Sequence, residues 1–583
     1  MNRTVYSENE FLAGPAPAYQ NRTTMDAGTG PDDAYTVELI TGSALIDLLI
    51  NDAGFQQSWD ALYASCPWAT VFQSRPFIAA WYQAYSNQHL PILIKAVENG
   101  QLKGLLPVVV LNTIATDPHS GKGRGRITGA GHYDAEYQTW LAAPADADTF
   151  ITKALTELRK QFPGYAITFR FLSPGTSLDW TQTDATWRTC SIVQSYDRPL
   201  INFKDAEAAK IFQRNHFKNK INRLKRLGEV QFEQIKDLES FKHCLHEMAV
   251  LYDFRQSALF NKSPFKDDPV KEDFLLQLFR LQLLHVTVLK VGEKTMAAVA
   301  AVAGKDDWMH LAGVNCHSPL NARFYSPGFL HFILLAKKLA SEGIQYFDLS
   351  PGYDAYKDDL ANLHDQVKEL VISPSLKFHL KRQLKKWIHT RLIAAGIRPM
   401  TTELAVKKYL YLARRRTVMS VIKGMVNRLQ TKRKKQLYRI ENGTLPSTIK
   451  MVVHTNNLRD LMQFEGGKLA PVTRWEFLED AMMRLERGQH CYTRAENGRL
   501  LCCAWFSNPD PGSATANNIE STIVLQHLYW HSAVKDRLSA FVQGVIDEVV
   551  IKEKKTYLLA EDKLFCQALE AAGCNNTAAS YKL

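Results

Sequence analysis

Residues 323–357 carry Arg323, the triplet Ser326-Pro327-Gly328, an apolar run over 329–339 and a short aromatic strand pattern over 344–349. Tyr353, Asp354, Tyr356 and Lys357 follow. A helix start exposes backbone N–H groups at the positive end of the helix dipole, so a serine, a glycine and an arginine beside one make a place for a phosphate. Asp348, Asp354 and Tyr356 are residue types that can accept or donate protons for a reacting group. The same letters also fit a capped core helix followed by a polar turn, since proline at the first helical position is an ordinary helix start.

The strand ending recurs. Residues 166–175 read AITFRFLSPG and residues 344–352 read IQYFDLSPG, each after an apolar helical pattern, at 150–162 and 329–340. A third helix-then-strand pattern, 538–550 and 556–560, lacks the SPG ending. This spacing predicts repeated modules of domain size, not a short-period solenoid. Only 323–357 combines the glycine-bearing helix start with a Tyr-Lys ending.

The elements that must hold these groups divide the chain as follows. Residues 1–35 read as a polar tail. Residues 36–200 form a first module, with a helix over 72–85 and a hairpin, 91–97 with 104–111, turning at Glu98-Asn99-Gly100. The glycine-rich stretch 121–126 matches no phosphate-binding spacing and reads as a loop. Asp146 and Asp148, before the module's later helix, would repel a diphosphate. Residues 201–375 form a second module: a basic helix over 214–226, a helix over 241–252 with Arg255 near its end, a hairpin of 285–291 with 295–303, and a strand over 308–314. A basic helical linker spans 376–445. A third module spans 446–583, where 530–538 contains no glycine to let a pyrophosphate approach the backbone.

With 583 residues, 46% hydrophobic and 22% charged, the chain is long enough for several cores. Nine scattered cysteines without CxxC or paired Cys/His spacing argue against a disulfide framework and a structural zinc site, so no metal and a reducing compartment are expected. Without a leader-like apolar segment or a run of 18 apolar residues, the expected location is cytoplasmic, with peripheral attachment at the inner membrane as an option. The net charge of +12 is concentrated: residues 376–440 hold 19 Lys/Arg against one acid, Glu403. That segment fits a solvated helical linker, a helix pair resting on an anionic membrane surface or an acidic synthase partner, or an RNA-binding arm. The apolar residues interleaved at helical spacing argue against the purely electrostatic arm, so nucleic acid is the least favoured partner.

Residues 201–370 resemble the GCN5-related N-acetyltransferase (GNAT) fold in element order. More specifically, they resemble the bacterial acyltransferase family associated with cellulose and exopolysaccharide biosynthesis. The pieces that carry this are the basic helix 214–226, Ser326-Pro327-Gly328, Phe347-Asp348-Leu349, Gly352 and Tyr356-Lys357. The resemblance implies an α/β (α+β) fold of tandem modules with mixed, splayed central sheets and flanking helices. It implies acetyl-CoA as co-substrate, its pyrophosphate on a loop lined by Arg323, Ser326, Gly328 and Phe329, with Lys357 near a CoA phosphate. Tyr356 would be the general acid, and Asp348 or Asp354 the base. The acceptor would be a small molecule or saccharide of polysaccharide or envelope biosynthesis, acetylated on nitrogen or oxygen. Asp348 also reads as a satisfied strand-end group and Tyr356 as a packing residue, while His310 and His317 read as structural. The tandem arrangement also resembles peptidoglycan-bridge aminoacyl transferases, which take their donor from charged tRNA. A non-catalytic scaffold for a membrane polysaccharide synthase is the third reading.

Overall fold

The computed structural model describes residues 35–111, 125–205, 208, 212, 215–352, 354–415, 435–440, 451–466, 472–507, 522–550, 556–560, 563–571 and 574–581. The N-terminal tail and residues 121–124 of the glycine-rich stretch at 121–126 lie outside these residues.

Asn99 and Gly100 both take positive φ, 51° and 76°, the geometry whose twist matches a two-residue hairpin. They join two strands that open a large sheet. From the first half come β1 (Tyr35–Thr41), β2 (Leu90–Glu98), β3 (Gln101–Val110), β4 (Arg126–Gly129), β5 (Leu141–Ala142), β6 (Ala166–Leu172) and β7 (Ser191–Asn202). From the second come β8 (Val230–Ile235), β9 (Leu284–Val291), β10 (Lys294–Ala303), β11 (Trp308–His317), β12 (Tyr346–Asp348) and β13 (Leu363–Ile372). Among the described residues these 13 strands make one sheet, ordered β1-β2-β3-β4-β6-β13-β7-β12-β11-β10-β9-β8, with β5 beside β3.

The order exchanges the last strand of each half. β13, from the end of the second half, pairs with both β6 and β7, and β7 pairs with β12. The expected border at residues 200/201 therefore falls inside a central strand. A second sheet holds β14 (Lys435–Ile440), β15 (His454–Thr455), β16 (His490–Glu496), β17 (Arg499–Ser507), β18 (Thr522–Trp530), β19 (Thr556–Ala560) and β20 (Asn575–Tyr581). It runs β15-β16-β17-β18-β19-β14-β20.

Each repeated unit holds one parallel pair in otherwise antiparallel surroundings: β4 with β6, β11 with β12, and β18 with β19. The recurring strand ending thus marks topologically equivalent strands, β6 and β12. β11 pairs with β12 only through Trp308–His310, while its later residues stay with β10. A register shift in β10 between Ala300 and Val302 accompanies the divergence. Gly313 is required there, because a Cβ would sit 2.1 Å from the Ala300 carbonyl oxygen.

The apolar helix of the central motif spans Pro327–Ser341 and buries Phe332, Ile333, Leu335, Ala336 and Leu339 against Val299, Ala301, Met309, Leu311 and Phe347. Its start is thereby fixed at the mouth of the strand divergence. In the first half the equivalent opening is plugged by the chain itself. The Gln138 N–H donates to the Arg170 carbonyl (3.1 Å), and Gln138 Oε1 accepts from Thr128 Oγ1 (2.9 Å) and the Arg170 N–H (3.0 Å).

The third unit is tied to the second. Leu478, Ala481 and Leu485 of helix Arg474–Glu486 pack on Phe254 and Ala258 of helix Leu238–Phe260. Trp475 Nε1 donates to the Ala258 carbonyl at 3.1 Å. The basic segment, where described, forms helices Leu376–Ala394 and Pro399–Arg415 and strand β14.

The strand exchange makes residues 201–375 dependent on β7 and β6. Produced alone, this fragment should aggregate in gel filtration and show no cooperative melt. A soluble fragment with a sharp thermal transition would contradict the shared sheet.

Candidate active site

Where β11 leaves β12, a cavity of about 260 Å³ opens. Its wall comprises Asn315, Cys316 and His317 of β11, Ala322 and Arg323, the helix start Ser326–Phe329, Arg255, Phe332, Tyr356 and Glu486. Five expected residues therefore come together: Arg323, Ser326, Gly328, Phe329 and Tyr356.

The helix start is built as an anion site requires. Ser326 sits in the left-handed region (φ 51°) and Pro327 begins the helix with its φ already restricted. The first intrahelical bond runs from Leu330 N–H to Ser326 O at 3.1 Å, so the Gly328 and Phe329 amides precede the ladder. Lys220 Nζ donates to Ser326 Oγ at 3.1 Å, bringing a cation from the basic helix Asn215–Lys225. Gly328 leaves room for His317: a Cβ there would lie 3.0 Å from His317 Nδ1.

Two guanidiniums border the cavity. Arg255 donates to Asn315 Oδ1 at 3.4 Å, and Arg323 pairs with Glu486 of the third unit at 3.4 Å. The Asn321 N–H, just before, donates to the Leu485 carbonyl at 2.8 Å, so the third unit braces the loop.

Two neutral groups complete the wall. Burial, with Asp354 nearby, pushes the Tyr356 phenol up to about 12, and its ring stacks on Phe332 at 5.6 Å. Its hydroxyl makes no hydrogen bond among the described residues. Burial and the charge of Arg255 lower the His317 imidazole to about 4, which keeps it unprotonated at neutral pH. A neutral phenol can give a proton and a neutral imidazole can take one.

Asp348, Asp354 and Lys357 are not in this wall. Asp348 is fully buried in a separate network on the other side of the strand pairing. Its Oδ2 accepts from Tyr137 Oη (2.5 Å) and His310 Nδ1 (2.9 Å), with Arg198 at 3.8 Å, and its Oδ1 accepts from the Ser350 N–H (2.8 Å). Burial alone would raise this carboxyl, but the His310 hydrogen bond and the Arg198 charge hold it below its ordinary range. Arg198 in turn grips Asp365 through two bonds of 2.7 and 2.6 Å and lies between the rings of Tyr137 and Trp308. Asp354 pairs with Arg398 of the basic helices and with Lys357 at 3.7 Å. Lys357 is buried and donates to the Ser350 carbonyl at 2.9 Å, so its ammonium is committed to the turn after β12.

In the sequence His310 and His317 read as lone structural histidines, and Arg255 stands near a helix end without an assigned role. Both histidines lie on β11 near the central loop, and that proximity was the available signal. Arg255 sits 68 residues before Arg323, and nothing local announces their meeting.

A larger cleft of about 580 Å³ lies over the first half, between β4, β6, β7, β13 and the basic helices. Arg126 and Arg170 line its floor and Lys381, Arg382 and Lys385 its roof. Asp197, Asp358 and His364 form a small surface cluster with donor atoms within 4.8 Å of one another, the one grouping of three possible metal ligands among the described residues. All nine cysteines are buried and none forms a disulfide.

Against known proteins, residues 212–358 match the family model described as acetyltransferase (GNAT) domain. No curated protein sequence matches the chain. Among solved structures, a conserved protein of unknown function from Bacteroides thetaiotaomicron aligns over 55% of this chain and 97% of its own, with 12% identity and a TM-score of 0.35. L-PGS from Bacillus licheniformis aligns over 50% and 86%, with 13% identity and a TM-score of 0.32. FemX aligns over 57% and 98%, with 10% identity and a TM-score of 0.38. Residues 212–358, the stretch that matches the acetyltransferase (GNAT) domain model, contain the helix start and the diverging strands described above.

Asp348→Asn should lower stability by about 3–5 kcal/mol, because an amide NH2 in this fully buried site would face either the Ser350 N–H or the Tyr137 and His310 donors and leave them unpaired. Denaturant midpoints of the purified variant check this, and an unchanged midpoint contradicts the network. Stability should also decline with acid in two stages. His317 is lowered in the folded chain, so its contribution is complete above about pH 6.5 and is lost as the pH falls toward about 4. The depressed Asp348 contributes above its unfolded value near pH 3.9 and loses that as the pH falls through its folded value. Thermal melts between pH 7 and 4 should show the first decline, and His317→Asn should flatten part of it.

Proposed function

We propose that the protein is an acyl-CoA-dependent acyltransferase that works at the cavity between β11 and the start of helix Pro327–Ser341. The observation that supports this best is a helix start with two uncommitted amides, two guanidiniums, a neutral phenol and a neutral imidazole around one cavity.

The residues present fit such a donor. The Gly328 and Phe329 amides with Arg323 and Lys220 would hold a pyrophosphate, where dipole and charge both favour an anion. The bound donor supplies an activated thioester carbonyl. Tyr356, kept neutral by burial, would deliver a proton to the departing sulfur. His317, with its ring against Gly328, would take the proton from the acceptor's amine or hydroxyl. Burial, aided by Arg255, keeps His317 unprotonated, and Arg255 adds positive potential toward an oxygen that gains charge. The acceptor we favour is a sugar or amino sugar of polysaccharide or envelope biosynthesis, on the strength of the sequence motifs. Acetyl transfer to nitrogen or oxygen is compatible with the same proton donor and acceptor.

Acetyl-CoA should raise the melting temperature of the full chain, and Gly328→Glu should abolish that shift by placing a carboxylate at the anion site. Absence of any shift at millimolar acetyl-CoA, with charged tRNA serving as donor instead, would favour the aminoacyl-transfer reading. In an acetyl-transfer assay, Tyr356→Phe should lower kcat by about 10²–10⁴-fold while leaving the acetyl-CoA shift intact. Unaltered kcat would remove Tyr356 from the chemistry.

A further inference from the structure

The described residues leave 20 large apolar side chains exposed, and 12 of them fall between Leu376 and Leu410. They are not scattered along the two basic helices. Leu376, Leu380, Leu384, Trp387 and Ile388 stand at i, i+4, i+8, i+11 and i+12, which puts them on one face of helix Leu376–Ala394. Ile393, Ile397 and Met400 continue the exposure through the turn, and Val406, Tyr409 and Leu410 carry it along helix Pro399–Arg415. Leu380 is 67% exposed, Trp387 58% and Tyr409 73%, values that a monomer in water gains nothing by keeping.

The other face of the same helices explains how they are held. Arg382 pairs with Glu369 of β13 at 2.5 Å, Lys386 donates to the Val193 carbonyl of β7 at 2.7 Å, and Arg398 and Lys408 pair with Asp354 and Glu479. Lys385 and Lys407 share Glu403. Lys377, Lys381 and Arg391 are exposed and have no acidic partner among the described residues. The Arg391 guanidinium lies 5.5 Å over the Trp387 ring, so a cation and an aromatic ring sit together on the apolar stripe.

Charge decides the occupant. Residues 416–434 carry six Lys/Arg and no acid, so folding them onto this face would place like charge on like charge. A second copy of the chain meeting it face to face would do the same. An anionic lipid surface satisfies both the apolar stripe and the flanking cations. No described helix is long and apolar enough to cross a membrane, so the contact is interfacial.

We propose that the helix pair Leu376–Arg415 docks the protein on an anionic membrane surface through this exposed stripe, with Lys377, Lys381 and Arg391 toward the headgroups. The full chain should float with vesicles containing phosphatidylglycerol and phosphatidylcholine at least 10-fold better than with pure phosphatidylcholine, and raised salt should weaken the association. Leu380→Glu/Leu384→Glu/Trp387→Glu should lose flotation while keeping the wild-type melting temperature, because these side chains already face solvent. Lys377→Glu/Lys381→Glu/Arg391→Glu should lose the preference for anionic vesicles. Equal binding to neutral vesicles, or a triple-glutamate variant that floats like wild type, would overturn the proposal. So would a concentration-dependent dimer abolished by the apolar-to-glutamate changes, which would make the face a contact between copies, or RNA capture abolished by the charge reversals without lipid binding.

Discussion

A carboxylate cut off from water stays ionised only if donors and positive charge surround it, and Asp348 is surrounded by groups from both halves of the large sheet. Tyr137 and Arg198 come from the first half, and His310 and the Ser350 N–H from the second. The arrangement works only when β7 lies beside β12 and β11 lies on the far side, which is the register the strands take: Asp348 stands opposite His310 on one side and Leu200 on the other. Removing one partner leaves a buried charge exposed to desolvation without compensation. The network therefore fixes the point from which β11 and β12 diverge, and with it the mouth of the cavity.

Divergence alone does not make a site. The first half has the same parallel strand pair and the same SPG ending, yet Gln138 fills the gap between its strands, and Tyr137 and Trp140 are packed beneath. At the position where β12 carries Asp348, β6 carries Phe171, strained at φ 44°. The middle unit differs by keeping its gap open and by placing a helix start over it. The third unit contributes through its edges, with Glu486 and Leu485 steadying the loop from Asn321 to Arg323. Its role at the cavity is thus that of a brace.

Much of this was legible in the letters because it rests on local rules. The Asn-Gly hairpin at 99–100, the apolar periodicity of 329–339 and the repeated LSPG ending each dictate an element with little help from the rest of the chain. The exchange of β7 and β13 was not legible, since strand partners such as Arg198 and Asp365, 167 residues apart, leave no local trace. The same limit hid the meeting of Arg255, His317 and Tyr356, which belong to a helix, a strand and a post-strand turn. Asp348 shows another limit: an aspartate ending an aromatic strand reads both as a proton acceptor and as a satisfied strand-end group, and only the fold shows how many donors surround it. The basic segment showed its charge and its apolar interleaving, while only the folded helices show which face remains uncovered.

On the proposed function, the chain binds its acyl donor once, in the middle unit. Hydrogen–deuterium exchange of the full chain with and without acetyl-CoA tests it directly. Slowed exchange confined to peptides covering residues 315–332 and 354–357, with 126–142 and 530–540 unchanged, is expected. Protection centred on the first or third unit, or none anywhere at saturating acetyl-CoA, would contradict it.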